Sequence, residues 1–162
     1  MLFLLLNIND RRYALESQQV LEVLPLVLLE PLPHTPKYIA GIFNYRGQTV
    51  PVIDLCQFMW GRPCSEHLST RIILINDNNV KKHNASESSP SRIFGLMAER
   101  VVDTLHKSEG ELLEPDTQVN AASYLGKIIL DKTEMIQCIH VGYFFSEVEK
   151  VQSLPQATKV EV

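Results

Sequence analysis

The sequence lacks most of the features that mark enzymes and nucleic-acid-binding proteins. It has no glycine-rich phosphate loop, no G-x-S-x-G nucleophile motif and no G-x-G-x-x-G dinucleotide-binding motif. The formal net charge is −4, and the cations form no cluster beyond the pair Lys81 and Lys82. Because phosphate neutralisation needs clustered lysine and arginine, we expect no nucleic-acid partner. We also expect the chain not to be an enzyme.

Long hydrophobic runs are absent as well. The run at residues 2–6 has no basic residues before it, and Asn7, Asn9 and Asp10 interrupt it far short of a membrane span. We therefore interpret it as a buried first strand and expect no membrane insertion. Cysteine is scarce, with 3 residues in a chain without an export signal. We expect reduced thiols and a cytoplasmic location.

The composition is that of a folded globular protein. Hydrophobic residues make up 45% and charged residues 21% of 162 residues, which suits a single domain. Most apolar runs are short, rich in β-branched residues and bounded by turn residues, which predicts strands at 2–8, 13–15, 39–43, 50–55, 71–75, 93–97, 126–130 and 135–141. Their close spacing favours antiparallel barrels. Short helical segments are predicted at 17–23, 57–61 and 144–151.

A weak internal repeat predicts two similar halves. Residues 13–24 align with residues 94–105 through matching aromatic, leucine, valine and acidic positions. We therefore predict one domain over 1–162 with two small β-barrels, at about 12–60 and 70–142. The second barrel includes a long polar loop at 76–91. A C-terminal helix at 143–151 and a loose tail at 152–162 complete the prediction.

Candidate metal ligands are few. Cys56, Cys64 and His67 form a C-x7-C-x2-H pattern, which lacks the short cysteine pair and the fourth ligand of structural zinc sites. We therefore expect no metal site, and a small-molecule-binding or metal-binding β-barrel protein is the alternative. For Asp54 we expect acceptance of backbone hydrogen bonds at a strand end, because no second carboxylate or base accompanies it at a recognisable spacing.

The segment YIAGIFNYRGQTVPVIDL at 38–55 predicts a hairpin. An apolar run at 39–43 meets a four-residue turn, 44–47, and a second β-rich run follows at 49–55. Asparagine and glycine tolerate the positive φ angles of tight turns. Arg46 is the unusual residue, because a guanidinium between hydrophobic strands needs a carboxylate partner or full exposure.

These motifs together resemble the CheW-like adapter family. The first half carries Tyr13, then V-x-E-V at 20–23, Y-I-x-G at 38–41 and N-x-R-G-x-x-V-P-V-I-D-L at 44–55. The second half continues the resemblance with T-R-I-I at 70–73, G-L at 95–96 and V-V-D at 101–103. The likeness runs from about Phe3 to Phe145. The N-x-R-G motif is specific only when it follows the Y-I-x-G strand and precedes V-P-V-I-D-L.

The resemblance implies a fold and a function. It implies an all-β fold of two five-stranded SH3-like barrels around a shared core, with short helical segments. It implies a non-catalytic coupler without a cofactor. The partners it implies are a CheA-type histidine kinase, bound through the kinase's own CheW-like regulatory domain, and the cytoplasmic tips of chemoreceptors.

The resemblance also implies a protein-binding site. Arg46 matches the family's hairpin arginine, Glu22 matches its acidic partner, and Val20 matches an apolar position associated with receptor contact. The other hairpin residues assigned to the site are Asn44, Tyr45 and Gly47. Since Arg46 needs a partner, we predict a bidentate ion pair between Glu22 and Arg46.

Several residues depart from the family pattern. Tyr45 stands where an aliphatic residue is usual, His140 where an acid is common, and G-Y-F-F at 142–145 replaces a charged and aliphatic ending. The 76–91 loop is longer than is typical. A second alternative is therefore a degenerate adapter that sequesters or inhibits a kinase, or one that serves a specialised pathway such as surface motility.

Overall fold

A computed structural model describes residues 1–76, 92–114 and 124–152. In these ranges the chain forms ten strands: β1 Leu2–Ile8, β2 Arg11–Glu16, β3 Val20–Pro25, β4 Ile39–Tyr45, β5 Gln48–Asp54, β6 Arg71–Asn76, β7 Ile93–His106, β8 Leu112–Leu113, β9 Leu125–Asp131 and β10 Glu134–Ile139. The helices are α1 Leu55–Trp60 and α2 Phe144–Gln152, and 3-10 turns span Ser17–Gln19, Glu109–Glu111 and Val141–Tyr143. Apart from residues 76 and 152, the predicted polar loop and tail lie outside the described residues.

Five strands form the first sheet, which we call the hairpin sheet. Its order is β3-β6-β7-β5-β4, and β5 pairs with β7 in parallel through Val52 opposite Gly95. Strands β3 and β4 lie at the two ends of this order. Contacts join them nevertheless, because Glu22 of β3 reaches Tyr45 and Arg46 of β4. The sheet therefore curls back on itself.

The other five strands form the second sheet, which we call the terminal sheet. Its order is β1-β2-β10-β9-β8, and β10 pairs with β2 in parallel through Gln137 opposite Tyr13. Strand β1 also pairs with the second half of β7. Two five-stranded sheets with short helices confirm the all-β prediction.

Strand β7 belongs to both sheets. Its first half pairs with β6 and β5, and its second half pairs with β1. Arg100, with φ 48°, lies where the register shifts opposite Leu5 and Asn7. A residue in the left-handed region at a bulge bends a strand, so one strand can pass from one sheet to the other.

Three sequence-based predictions about the fold were wrong. Residues 17–23 form a 3-10 turn followed by strand β3, not a helical segment. The aligned stretches 13–24 and 94–105 are not a structural repeat, because the first contains two strands and a turn whereas the second lies in one continuous strand. The sheets also do not follow the predicted boundaries at 12–60 and 70–142. Strand β6 and the first half of β7 belong to the hairpin sheet with β3, β4 and β5, whereas β2 belongs with β1 to the terminal sheet.

One large core joins the two sheets and the C-terminal helix. Leu6 and Leu15 of the terminal sheet, Val52 and Ile73 of the hairpin sheet, and Phe144 of α2 are each fully buried in it. A smaller cluster lies inside the terminal sheet and consists of Phe3, Leu5, Ala14, Ile129 and Ile136. Burial of each large side chain contributes about 1.5–3 kcal/mol, so the shared core is what fixes the two sheets against each other.

The prediction of a C-terminal helix is confirmed by α2. Its Phe144 and Val148 are buried, and Ser146 donates a hydrogen bond from its hydroxyl to the carbonyl oxygen of Tyr143 at 2.9 Å. Helix α1 is longer than the predicted turn at 57–61 and begins at Leu55. Within the described ranges, neither helix has the length and apolar character that crossing a bilayer requires.

Candidate functional site

The hairpin between β4 and β5 turns in two residues, Arg46 and Gly47. Tyr45 pairs with Gln48, and the φ angles of Arg46 and Gly47 are 50° and 84°. Positive φ at both central positions is the type I′ geometry, which matches the twist of the flanking strands. The predicted four-residue turn at 44–47 is therefore wrong in extent, because Asn44 and Tyr45 belong to β4. The Asn44 side chain still supports the turn by accepting a hydrogen bond from the Gly47 N–H at 2.8 Å.

Glu22 meets two side chains of this hairpin. Its Oε2 lies 3.8 Å from Nη2 of Arg46 and accepts a hydrogen bond from the Tyr45 hydroxyl. The Arg46 guanidinium carbon also lies 5.1 Å from the centre of the Tyr45 ring. The predicted ion pair between Glu22 and Arg46 is therefore present, but it is a single loose contact and not a bidentate pair.

The charges of this cluster differ in exposure. The side chain of Arg46 is 77% exposed and that of Glu22 is 36% exposed. An ion pair so open to water contributes about 0–1 kcal/mol to stability. The hydrogen bond to Glu22 raises the pKa of the Tyr45 hydroxyl, with a smaller contribution from desolvation. At neutral pH the phenol thus keeps its proton and orients the carboxylate, and the guanidinium remains available to a partner.

Val20 lies apart from the charged cluster on the same strand. It begins β3, is half-buried and pairs with Ile75, and the register shifts between Val20 and Glu22. Next to it, Leu21 is 40% exposed. Strand β3 thus presents apolar and acidic side chains near the turn of the hairpin, and β6 is its one strand partner among the described residues.

Asp54 occupies the junction between β5 and α1. Its Oδ1 accepts a hydrogen bond from the Gln57 N–H at 3.1 Å, and its Oδ2 accepts one from the Cys64 N–H at 3.0 Å. Asp54 is thus the N-cap of α1 and an anchor for the following loop. The prediction that it accepts backbone hydrogen bonds at a strand end is confirmed.

The cysteines of the sequence pattern meet, but without the histidine. Cys64 Sγ lies 2.8 Å from Cys56 Sγ and 3.1 Å from Asp54 Oδ1. His67 is exposed, and its backbone N–H donates to the Thr70 hydroxyl at 3.3 Å. The predicted grouping of Cys56, Cys64 and His67 is therefore wrong in its third member. The residue that lies beside the two cysteines is Asp54 and not His67. Hydrogen bonding with Cys56, burial and the nearby Asp54 raise the pKa of the Cys64 thiol, so it is protonated at neutral pH.

Sequence reasoning missed how two tyrosines are used. The sequence assigned Tyr45 to the protein-binding site and marked it as a departure from an aliphatic residue, but it did not show that the Tyr45 hydroxyl donates a hydrogen bond to Glu22. The Tyr38 hydroxyl donates a hydrogen bond to Glu147 of α2, which is 8% exposed. A tyrosine in place of an aliphatic residue suggests a hydrogen-bonding role, but its partner lies 23 residues away for Tyr45 and 109 for Tyr38. Such distant partners cannot be read from local spacing.

Comparisons with known proteins identify the family. The CheW-like domain family matches residues 2–149. The chain belongs to the CheW-like domain family. Members of this family are non-catalytic adapters, so the chain is an adapter of chemotaxis-type signal transduction and not an enzyme.

Individual relatives agree with this assignment. A protein described as a probable chemotaxis protein CheW from Rhizobium etli is 24% identical over 147 residues, which are 88% of this chain and 86% of that protein. Protein FrzA of Myxococcus xanthus is 44% identical over 57 residues, which are 35% of this chain and 36% of FrzA. The match thus spans only about a third of FrzA.

A solved structure has the same fold. The crystal structure of the scaffolding protein TtCheW from Thermoanaerobacter tengcongensis superposes with a TM-score of 0.70 at 24% identity, covering 85% of this chain and 82% of that one. This likeness concerns the fold. Two of the residues at 142–145 that depart from the family pattern, Phe144 and Phe145, are core residues of this chain.

Proposed function

We propose that this CheW-like protein couples chemoreceptor-type sensors to a CheA-type histidine kinase in the cytoplasm. The observation that carries the proposal is the family match over residues 2–149. Its partners would be the CheW-like regulatory domain of the kinase and the cytoplasmic tip of a receptor. Two weak interfaces held in a fixed relative geometry let the state of the receptor bias the state of the kinase.

We assign receptor recognition to the β4–β5 turn and the facing part of β3. Arg46 is the central residue, because its guanidinium is exposed while Glu22 and Tyr45 restrict its position. Asn44 and Gly47 hold the turn, and Val20 supplies an apolar contact farther along β3. Arginine is suited to such a site because its planar guanidinium forms directional hydrogen bonds with carboxylates and amide oxygens.

The substitution Arg46→Glu tests this assignment. Since the ion pair is worth about 0–1 kcal/mol, the variant should fold with a nearly unchanged melting temperature and lose receptor coupling in a pull-down. Arg100→Glu is the matched control, because Arg100 is also exposed and also has a positive φ but lies at the bend of β7. Unchanged coupling in a folded Arg46→Glu variant contradicts the assignment.

A charge swap separates recognition from local structure. The double variant Glu22→Arg with Arg46→Glu restores opposite charges at the positions that lie 3.8 Å apart. If the ion pair matters only for the shape of the turn, the double variant regains coupling. We expect coupling to stay low, because the exposed guanidinium itself contacts the partner.

Kinase sequestration remains the second candidate function. The observation behind it is His140, which lies exposed just after β10 and not in an apolar strand. An exposed imidazole at a position where the family commonly has an acid changes the charge of that surface. Kinase autophosphorylation measured with and without receptor separates the two functions: an adapter supports receptor control, whereas a sequestering protein lowers kinase activity in both conditions.

A further inference from the structure

Three potential metal ligands come together at the junction of β5 and α1. The ligand atoms of Asp54, Cys56 and Cys64 all lie within 4.8 Å of one another. The three residues are 4%, 0% and 9% exposed. Among the described residues this is the one group of three or more histidine, cysteine and acidic side chains with such a geometry.

The backbone places these ligands before any ion is bound. Asp54 ends β5 and caps α1, and Cys56 is the second residue of that helix. Gly61, with φ 75°, ends the helix and turns the chain back. The Cys64 N–H then donates to Asp54 Oδ2 at 3.0 Å, which fixes the loop over the helix start. Such supporting hydrogen bonds hold a ligand set in position.

A cavity borders the cluster. It has a volume of about 490 Å³, and its lining includes Asp54, Cys64, Thr70 and Met97. Its other walls come from the segment at 26–29 and from Ala40, Pro63 and Glu66. Two of the three ligand residues therefore line a space large enough to admit an ion and a water molecule.

We propose that Asp54, Cys56 and Cys64 bind a zinc-class divalent cation, with the fourth coordination position facing this cavity. Thiolate sulfur suits Zn²⁺ among the abundant divalent ions, and a carboxylate oxygen completes a three-ligand set of the open kind. Binding releases the thiol protons, and a divalent cation between the carboxylate and the two thiolates offsets their charge.

Binding requires a small local adjustment. Tetrahedral zinc with bonds of about 2.3 Å to sulfur places two sulfur atoms about 3.7 Å apart. The present separation of the Cys56 and Cys64 sulfur atoms is 2.8 Å. The two sulfur atoms therefore have to separate to reach the zinc geometry. The Cys64 side chain borders the cavity and can move toward it while the Cys64 N–H keeps its hydrogen bond to Asp54.

Metal titration of the full chain under reducing conditions tests the proposal. The chelator-treated protein should bind one Zn²⁺ per chain and show a higher melting temperature with zinc, because an ion that binds only the folded state stabilises it. Co²⁺ should give the near-ultraviolet charge-transfer band of thiolate ligation. Cys56→Ser and Cys64→Ser should each remove about half of that band, since its intensity follows the number of thiolates.

Three further variants make the test specific. Asp54→Asn keeps a good helix cap but removes the anionic oxygen, so it should fold and bind zinc more weakly. Cys138→Ser and His67→Ala should bind as the unaltered protein does. The proposal is overturned if the reduced protein takes up no zinc or cobalt, if the cobalt band keeps its full intensity in Cys64→Ser, or if His67→Ala abolishes binding. A mass lower by two hydrogen atoms without bound metal also overturns it, because the cysteines would then be a disulfide pair.

Discussion

Replacing Arg46 by asparagine separates the energetic cost of its positive-φ backbone conformation from the contribution of its guanidinium to partner binding. Arg46 is the first residue of the two-residue turn, with φ 50°, and Gly47 follows with φ 84°. Asn-Gly is the sequence that type I′ turns favour most, because asparagine tolerates positive φ far better than arginine does. Arg46→Asn therefore relieves backbone strain and removes the guanidinium at the same time.

The opposing contributions are of similar size. A left-handed conformation costs an ordinary residue about 1–2 kcal/mol, and asparagine recovers part of this. The ion pair with Glu22, at 3.8 Å and with Arg46 77% exposed, is worth about 0–1 kcal/mol. The contact of the guanidinium with the Tyr45 ring, at 5.1 Å, adds about 0.5 kcal/mol. The free energy of unfolding should therefore change by less than about 1 kcal/mol, which is a shift of about 2–4 °C at most.

Binding should respond differently from stability. An exposed arginine at the centre of an interface commonly contributes more than about 1.4 kcal/mol, so the affinity for a receptor fragment should fall by about tenfold or more. Urea unfolding measures the stability, and isothermal titration calorimetry with a receptor cytoplasmic fragment measures the affinity. Arg100→Asn, at the other exposed arginine with positive φ, is the control and should leave the affinity unchanged.

One result refutes this reasoning. If Arg46→Asn loses more than about 2 kcal/mol of stability while its affinity for the receptor fragment stays intact, Arg46 holds the fold and does not contact the partner. A stable variant with weaker binding supports recognition. The double swap of Glu22 and Arg46 then shows whether the turn geometry or the guanidinium itself is recognised.

Two further predictions concern the shared core. A Cβ at Gly95 would lie 2.7 Å from Ile72 Cγ2 and 3.2 Å from Val52 Cγ2, so Gly95→Ala should cost about 1–3 kcal/mol in urea unfolding. Gly110→Ala, which meets nothing within 4 Å, should stay within about 0.5 kcal/mol, and equal effects of the two would contradict the packing argument. Burial, followed by the hydrogen bond with Glu147, raises the pKa of Tyr38. Because the pKa of Tyr38 is higher in the folded state, its contribution to stability is fully present below the unfolded-state pKa of about 10. That contribution is lost as the pH rises further. Tyr38→Phe should therefore unfold more easily at neutral pH, by about 1–2 kcal/mol, and lose less additional stability above pH 10 than the unaltered protein does. If the free energy of unfolding falls equally with pH above pH 10 in Tyr38→Phe and in the unaltered protein, this role of the Tyr38 hydroxyl is contradicted.

The sequence determined the local elements that depend on side-chain pattern. Short β-branched runs predicted eight strand regions that the structure contains, and turn residues placed the hairpin turn within 44–47, where Arg46 and Gly47 form it. The sequence-based prediction failed at β3. The residues V-L-E-V-L at 20–24 do not alternate strictly between apolar and polar, and they follow a polar segment that resembles a helix start. Strand β3 exists because β6 supplies its hydrogen bonds, which is a tertiary effect.

The assignment of strands to sheets also needed the tertiary structure. Arg100 bends β7, so the order of strands in space departs from the order of the two halves in sequence. Parallel pairs such as β5 with β7 join segments about forty residues apart, and no local pattern encodes such a pairing. The apparent repeat between 13–24 and 94–105 therefore reflected shared strand composition and not a shared fold.

The same division holds for the candidate sites. The sequence supplied Arg46 in the hairpin turn as a cation in need of a partner and, through the resemblance, Glu22 as that partner. Only the tertiary structure showed that the Tyr45 hydroxyl donates a hydrogen bond to Glu22. It also showed that Asp54, and not His67, lies beside the two cysteines. Backbone conformation follows from neighbouring residues, which the sequence lists in order. Contacts between side chains depend on how a curled sheet and a capped helix bring distant residues together, and that is settled only when the shared core packs.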